Sequence, residues 1–420
     1  MVKMLLADIK VGVKGTMKNE TKRRERKMIY KNFKEEKLSL LGFGTMRLPL
    51  NTEGKIDEPQ VEEMVKFAMD HGVNYFDTAY PYHDGESERV IGRILSKYPR
   101  ESFFLADKFP GHQIFEDYTP ERFFEEQLER CQVEYFDFYL LHNVYEKSIH
   151  TYKNPNWKIV DYLLEQKKNG RIKHLGFSSH GSMEIMREII DYCQGELEFC
   201  LIQLNYLDWT LQGAKEKYEM LTEMGIPVWV MEPVRGGKLA KLEPKWEAML
   251  KERRPQESIP AWGFRFLQDL PNVQVVLSGM SATEHMKDNV QTFDDYKPLS
   301  EEERSLLFEI AESMKQSVPC TACQYCVAGC PRNIEIPKLI SIYNELKFMP
   351  TVNASMRIEA MEEEKRPEVC IACGKCSRVC PQGIDIPKIM KELPELMSKL
   401  PSWEEVSRLR EEAQEKNRCK

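Results

Sequence analysis

The chain has 420 residues, of which 42% are hydrophobic, enough for a barrel-sized domain and a smaller module. Its formal net charge of −7 gives no reason to expect nucleic acid as a partner. No apolar run approaches the roughly 18 residues of a membrane span, and the start, MVKMLLADIK, is too short an apolar stretch for a secretory signal. Twelve cysteines without such a signal indicate a reducing compartment, so we expect a cytoplasmic protein with no membrane partner.

Residues 1–27 form a basic N-terminal extension, with seven lysines and arginines between positions 14 and 27. Such a run is typical of a solvated and disordered arm. An alternative is that the natural chain begins at Met28, where strand-like sequence begins. Neither interpretation assigns a function to this segment.

Residues 28–297 are predicted to form one α/β domain. Short apolar runs alternate there with amphipathic stretches such as Pro59–Asp70 and Met183–Tyr192, whose apolar positions recur every three or four residues. Eight such units match a (β/α)8 TIM barrel, for which about 250 residues is typical, better than a doubly wound open sheet. The predicted strands are Leu38–Thr45, Val73–Asp77, Phe103–Lys108, Phe136–His142, His174–Ser178, Phe199–Leu204, Val228–Met231 and Val273–Leu277.

Two further elements flank this barrel in the predicted fold. Met28–Phe33 alternates with a period of two residues and is expected to pair with Leu38–Leu41 as a hairpin that closes the barrel floor. Residues 298–317 are predicted as a linking helix that begins at Ser300.

Residues 318–400 contain two copies of the pattern C-x2-C-x2-C-x3-C-P, which is typical of bacterial ferredoxins with 4Fe–4S clusters. Three closely spaced thiolates can hold one cluster, and the fourth cysteine usually binds the other cluster. Zinc sites and disulfides are the alternatives, but zinc sites rarely use this spacing and disulfides do not persist in the cytosol. The predicted ligands are Cys320, Cys323, Cys326 and Cys380 for one cluster, and Cys370, Cys373, Cys376 and Cys330 for the other.

The module is an internal repeat, because each motif is followed by a matching I-x-I-P-K stretch, Ile334–Lys338 and Ile384–Lys388. The long connection between the motifs includes a helical segment and indicates a small, mainly helical, two-cluster ferredoxin domain. Residues 401–420 form a charged tail with helical character.

Polar residues end three of the predicted barrel strands: Asp77, Lys108 and His142, with Tyr82 in the loop after Asp77. Strand C-terminal ends face the catalytic mouth of such a barrel. An ammonium beside a phenol is expected to lower the phenol pKa, so that Tyr82 can donate a proton near neutral pH. Singly these residues read as a helix cap, a rim lysine and a core histidine, but together they predict a catalytic site.

At this point the sequence resembles the aldo-keto reductases. The resemblance lies in FDTAYPYHDGESERVIGRIL, in ADKFP at the third strand and in DFYLLHNV at the fourth, and covers about Met28–Asn289. It implies a nicotinamide cofactor bound across the barrel mouth without a Rossmann domain. It also implies that Tyr82 is the proton donor, with Asp77, Lys108 and His142 as its partners.

The resemblance also implies where the cofactor binds. The matching positions are Thr45, Met46, Ser178, Ser179, Gln203, Tyr206, Gly236, Gly237, Glu284 and Asn289. Many NADPH-preferring relatives have a lysine and an arginine where this chain has Gly279 and His285. The sequence therefore does not decide between NADP and NAD as the cofactor. Lys287 and Arg235 are the candidates to replace the missing cations.

Two functions follow from this combination. The first is an iron–sulfur aldo-keto reductase that reduces a small-molecule aldehyde or ketone by hydride transfer, with the clusters relaying electrons to a redox partner protein or serving as structure. The alternative is an electron-transfer subunit whose barrel binds a flavin or a nicotinamide. A nicotinamide transfers two electrons and each cluster one, and a flavin usually connects the two kinds of step.

Overall fold

The structure is a computed structural model that describes residues 28–111, 119–314, 318, 320 and 322–418, with side chains up to residue 413. The predicted N-terminal arm, residues 1–27, lies outside the described residues. Within the described part of the chain, no helix is both long and apolar enough to cross a bilayer.

Eight parallel strands form a closed barrel, which confirms the predicted (β/α)8 fold. The strands are β1 (Tyr30–Phe33), β2 (Glu36–Ser39), β3 (Leu41–Gly44), β4 (Tyr75–Asp77), β5 (Phe104–Phe109), β6 (Phe136–Val144), β7 (Ile172–Ser179), β8 (Cys200–Gln203), β9 (Val228–Met231) and β10 (Val273–Gly279). The barrel strands follow the order β10-β3-β4-β5-β6-β7-β8-β9, and β1 and β2 form an antiparallel hairpin.

Helices surround the barrel and build the C-terminal domain. The barrel helices and the helix that follows them are α1 (Glu58–Asp70), α2 (Glu86–Leu95), α3 (Pro120–Cys131), α4 (Ser148–Tyr152), α5 (Ile159–Lys168), α6 (Met183–Tyr192), α7 (Asp208–Leu211), α8 (Ala214–Glu223), α9 (Pro244–Arg253), α10 (Ile259–Gln268), α11 (Thr283–Phe293) and α12 (Glu301–Met314). The C-terminal helices are α13 (Tyr325–Ala328), α14 (Ile336–Phe348), α15 (Val352–Glu359), α16 (Lys375–Arg378), α17 (Ile386–Met397) and α18 (Trp403–Arg418).

The hairpin closes one end of the barrel, as the two-residue period predicted. Phe33 points into the barrel interior, where its ring centroid lies 5.1 Å from that of Trp229 and 5.7 Å from that of Phe138. These rings belong to a buried apolar cluster that fills the interior. Ligands therefore enter at the opposite end of the barrel, at the mouth formed by the C-terminal ends of the strands.

The strand register aligns the predicted site residues at that mouth. Gly44 of β3 pairs with Asp77 of β4, and Asp77 pairs with Ala106 of β5. Lys108 lies two residues further along β5 and pairs with Leu140 of β6. Because all strands run parallel, Asp77, Lys108 and the residues that follow Leu140 share one edge of the barrel.

The C-terminal domain has its own apolar core, built from α14, α15 and α17 together with Ile334 and Ile384. The two cysteine motifs repeat in backbone as well as in sequence. Ala322 and Ala372 both have a φ of 52°, and Gln324 and Gly374 follow with φ of 64° and 69°. Each motif then enters a short helix, α13 or α16, so the internal repeat extends to the left-handed turns around the cysteines.

The C-terminal domain covers part of the barrel mouth. Met356 of α15 and Trp403 of α18 pack with Tyr145, which follows β6, in a buried cluster. The main-chain N–H of Trp403 donates to both carboxylate oxygens of Glu359, at 3.1 and 3.2 Å. Trp403–Arg418 of the predicted charged tail form a helix, α18, which packs against the turn that contains Tyr82.

Candidate active site

Lys108 and Asp77 form a buried ion pair at the mouth of the barrel. Lys108 Nζ lies 2.6 Å from Asp77 Oδ1 and 2.6 Å from the carbonyl oxygen of Thr78. The Lys108 and Asp77 side chains are 1% and 4% exposed. Burial by itself would lower the pKa of Lys108, but the Asp77 carboxylate and the Tyr82 phenol outweigh it and the pKa is raised. Lys108 is therefore a fixed cation.

Tyr82 lies directly over this cation, with its ring centroid 4.8 Å from Lys108 Nζ. The turn that carries it is strained: His83 and Asp84 have left-handed φ of 51° and 55°, before Gly85 at 88°. His83 Nε2 accepts a 3.1 Å hydrogen bond from the main-chain N–H of Leu48, which anchors the turn to the loop after β3. Local strain of this kind is common where a side chain must be aimed at a ligand.

The pKa of Tyr82 is raised above its usual value of 10, and the prediction that Lys108 lowers it is wrong for the net effect. Burial is the largest influence and raises the pKa, because the phenolate would lose hydration. Lys108 does lower it, but Asp77 raises it again. Tyr82 is therefore a protonated phenol across the neutral range.

His142 lies next to Tyr82, with the two ring centroids 6.1 Å apart and the ring planes at 85°. Its strand is irregular at this point, since the register of β6 against β7 shifts between Leu141 and Val144. Asn143 has a left-handed φ of 52° within this irregularity. A bulge of this kind turns a side chain away from the alternation of the strand, so β6 can present His142 at the mouth.

The four predicted residues thus come together, as their positions at the strand ends predicted: Asp77, Lys108, His142 and Tyr82. A carbonyl group over Tyr82 would have a phenol and an imidazole as hydrogen-bonding neighbours and a fixed cation below. The catalytic roles of the four residues stay a prediction.

Two predicted cofactor positions have hydrogen-bonding capacity left. The Ser178 hydroxyl oxygen accepts from the main-chain N–H of Asn143 at 2.8 Å and keeps its own proton to donate. Gln203 donates from Nε2 to Asp208 at 2.8 Å and keeps its amide oxygen to accept. A carboxamide, with one acceptor and an NH2 donor, complements this pair. These residues therefore fit the amide end of a nicotinamide.

Other residues predicted to bind the cofactor instead make hydrogen bonds or packing contacts within the protein. Ser179 donates from its hydroxyl to the carbonyl oxygen of Val144 at 2.8 Å. Tyr206 is 1% exposed and packs in the main apolar core, which leaves no face for stacking on a cofactor ring in this conformation. The Thr45 hydroxyl donates to the carbonyl oxygen of Asp77 at 3.0 Å and so supports the turn below the site.

The remaining predicted positions lie along the rim. Met46 is 48% exposed, and Glu284 is exposed at the start of α11. Asn289 is buried and donates from Nδ2 to the Ser278 hydroxyl at 2.9 Å. Gly236 and Gly237 have φ of 61° and 91° in an exposed turn after β9, a backbone that favours glycine.

Arg235 lies in the same turn and is buried. The sequence indicated it only as a possible cation for the cofactor and did not predict a structural role. Its Nη1 bonds to Asp208, and its guanidinium lies 5.2 Å from the centroid of the Phe348 ring at the end of α14. Its Nε and Nη2 have no partner within the described residues. The sequence signal, a GG turn, indicated backbone approach to a ligand but not that Arg235 would meet a helix of the C-terminal domain.

The eight motif cysteines surround two separate cavities. One of about 350 Å³ is lined by Cys330, Cys370, Cys373 and Cys376, and the other of about 300 Å³ by Cys320, Cys323, Cys326 and Cys380. These are the two sets that the motif spacing predicted, with the fourth cysteine exchanged between motifs. Within the described residues, no three histidine, cysteine or acidic side chains converge closely enough for a single ion. Four thiols around an apolar cavity fit a cubane cluster, and the ligation itself stays a prediction.

The barrel and the cysteine-rich domain together define an oxidoreductase with a 4Fe–4S domain. Residues 40–312 match the family model of the aldo/keto reductase family, and residues 319–385 match that of a 4Fe-4S dicluster domain. The chain therefore belongs to the aldo/keto reductase family, which confirms the resemblance seen in its motifs.

Curated relatives match up to about two thirds of this chain. The NADH-specific methylglyoxal reductase of Escherichia coli is 26% identical over 324 residues, which cover 66% of this chain and 96% of the relative. A probable aldo-keto reductase of Glycine max is 28% identical over 48% of this chain and 57% of its own length. A Klebsiella pneumoniae aldo-keto reductase, solved in complex with NADPH, shares the fold at a TM-score of 0.56 and 20% identity, over 68% of this chain and 96% of that one.

Proposed function

We propose that the protein reduces an aldehyde or a ketone with NADH or NADPH and that Tyr82 supplies the proton. The observation that carries this proposal is the buried Lys108–Asp77 pair, with Lys108 Nζ 4.8 Å from the centroid of the Tyr82 ring. A fixed cation beside a half-buried phenol stabilises the phenolate that proton donation would leave. His142, whose ring stands beside the phenol, completes a place for the carbonyl oxygen.

In the proposed reaction the cofactor and each side chain of the site have a separate role. A bound nicotinamide supplies the hydride, which goes to the carbonyl carbon. Tyr82 gives its hydroxyl proton to the carbonyl oxygen, so the C=O bond becomes an alcohol and Tyr82 becomes a phenolate. Lys108 stabilises this phenolate until a proton from solvent restores the phenol, and Asp77 holds Lys108 in place. His142 donates a hydrogen bond that orients the carbonyl oxygen.

Methylglyoxal is the first substrate to test, because the Escherichia coli relative is described as a methylglyoxal reductase. The assay uses NADH or NADPH deuterated at C4, in anaerobic buffer, with mass analysis of the alcohol. Deuterium on the new carbinol carbon supports hydride transfer from the nicotinamide. Alcohol without deuterium, or no alcohol from a panel of aldehydes and ketones with either nucleotide, contradicts the proposal.

The pH dependence of the reduction tests the state of Tyr82. Proton donation needs the phenol, which is present below its pKa and lost above it. Because burial raises that pKa above 10, the rate under single-turnover conditions should show little loss from Tyr82 ionisation between pH 7 and pH 9. A decline with a midpoint between pH 7 and pH 9 that disappears in Tyr82→Phe would contradict the raised pKa.

For the C-terminal domain we propose two 4Fe–4S clusters that exchange electrons with a redox partner protein in the reducing cytoplasm. Cys323 and Cys373 are exposed, and the exposed apolar side chains Tyr325 and Ile371 lie beside them in the same motifs. Such a patch favours docking of a partner close to a cluster. A flavin near the barrel mouth would connect one-electron and two-electron steps.

The exchanged pairing of cysteines predicts which variants resemble each other. Cys380→Ser should alter the same cluster as Cys323→Ser, while Cys330→Ser should alter the same cluster as Cys373→Ser. Anaerobic iron and sulfide analysis with EPR of the reduced proteins would measure this, since each pair should lose the same set of signals. If Cys380→Ser instead matched Cys373→Ser, the cysteines would pair within each motif.

A further inference from the structure

A polar cavity of about 400 Å³ lies between the barrel and the C-terminal domain, over the ends of β7 and β8. Both domains contribute to its walls. The side chains that matter for its chemistry are Ser179, His180, Gln203 and Lys217 of the barrel, and Glu345 and Arg357 of α14 and α15.

The charges in this cavity are not balanced. Arg357 is paired with Glu345, so these two groups largely neutralise each other. Lys217, on α8, makes no side-chain hydrogen bond or ion pair within the part of the chain that the structure describes. The carboxylates of Glu146 and Glu345 act on Lys217 without a direct contact, and burial together with repulsion from Arg357 outweighs them, so a bound anion would stabilise the Lys217 ammonium.

The start of α8 also favours an anion in this cavity. The helix begins at Ala214, which lines the cavity with Gln212, and its N-terminus has no side-chain cap. The first N–H groups of a helix and the positive end of its dipole favour an anion. Lys217 lies in the first turn of α8, so the side chain and the helix start act on the same space.

We propose that this interdomain cavity binds an oxyanion, a carboxylate or a phosphate carried by a small molecule, with Lys217 as its principal cation. Asn353, which also lines the cavity, can donate hydrogen bonds from its amide. Because Gln203 lines this cavity and also belongs to the proposed nicotinamide site, the oxyanion belongs to the carbonyl substrate or to the nucleotide. The binding site itself does not depend on turnover.

Calorimetric titration of the full chain with inorganic phosphate and with acetate, at constant ionic strength, tests the site. Lys217→Met should weaken binding by about tenfold or more, as expected for loss of a charge-assisted hydrogen bond. Lys215→Met is the matched control, since Lys215 is exposed on the same helix and lies 3.7 Å from Glu219. It should bind both anions like the unchanged protein.

Two results would overturn the site: no heat of binding from either anion, or equal affinities of Lys217→Met and Lys215→Met. A repeat titration with saturating NADH separates the sources of the oxyanion. Competition between phosphate and NADH assigns the cavity to the nucleotide, whereas additive binding of acetate assigns it to a carboxylate of the substrate. Tyr82→Phe should bind the anions normally, which separates this test from that of the proposed reaction.

The affinity for acetate should fall as the pH rises past about 8. Burial, with repulsion from Arg357, lowers the pKa of Lys217 to about 8, and His180 is neutral because burial lowers its pKa to about 3. The cationic form that binds the anion is therefore present below about pH 8 and lost above it, and bound anion shifts the midpoint upward. Lys217→Met should show no such decline. The charged and titratable groups that act on Lys217 are Arg357, Glu146, Glu345, Cys200 and His180.

Discussion

Replacement of Tyr82 by phenylalanine is expected to lower kcat for carbonyl reduction by about a thousandfold, since a positioned acid contributes about a hundredfold to ten-thousandfold. The ring still covers Lys108, whose Nζ lies 4.8 Å from its centroid, so the packing at the mouth is kept. The dissociation constant for NADH, measured by fluorescence titration, should therefore stay within a factor of about three.

Tyr80→Phe is the matched control for this variant. Tyr80 precedes the same turn, and its hydroxyl donates to Glu126 at 3.2 Å on the outer side of the barrel. Loss of that hydroxyl should leave kcat nearly unchanged. A Tyr82→Phe protein that keeps more than about a tenth of the activity would remove Tyr82 from the role of proton donor.

The mouth of the barrel could be predicted from sequence because parallel strands bring their C-terminal ends to one edge. Asp77, Lys108 and His142 each end an apolar run, and the closed barrel places those ends side by side. The cysteine sets could be predicted for a similar reason. Their fixed spacing around short helices determines which thiols share a cavity.

The electrostatics of the site could not be predicted from the same residues. The raised pKa of Tyr82 results from burial, and burial here depends on groups far away in sequence. Helix α18 packs against the turn of Tyr82, although the sequence of residues 401–420 indicated a charged, helical tail without a packing partner. A sequence motif indicates which charged residues lie near the phenol. It does not indicate how well the fold shields the phenol from water.

The interdomain cavity was missed for a related reason. Lys217 belongs to an ordinary amphipathic helix of the barrel, where a lysine is normally solvated. It loses solvent because α14 and α15 of the C-terminal domain cover it, with Glu345 and Arg357 on the opposite wall. Contacts between domains have no period or spacing in the sequence.

Lys108→Met is expected to destabilise the folded protein by about 3–5 kcal/mol, the usual effect of removing one partner of a buried ion pair. Asp77 would keep a buried carboxylate without its 2.6 Å partner, and the Thr78 carbonyl would lose its donor. Anaerobic urea unfolding, followed by circular dichroism, measures the change. Lys66→Met is the control, since the Lys66–Asp70 pair is exposed and its loss should change stability little.

The size of this loss should depend on pH in a defined direction. Burial already raises the pKa of Asp77, and without Lys108 nothing opposes that rise. Protonation of the carboxyl removes the buried charge, so the destabilisation should be smaller at about pH 5 than at about pH 8. An equal loss at both values would mean that Asp77 is not the source of the instability.

Combining Lys108→Met with Asp77→Asn separates the structural role of the pair from its catalytic role. The double variant holds neutral groups in place of both charges, so much of the lost stability should return. Activity should not return, because no cation is left to stabilise the phenolate of Tyr82. If the double variant regained both stability and kcat, Lys108 would act only by holding the fold. If it regained stability alone, the cation 4.8 Å from the Tyr82 ring centroid would belong to the chemistry.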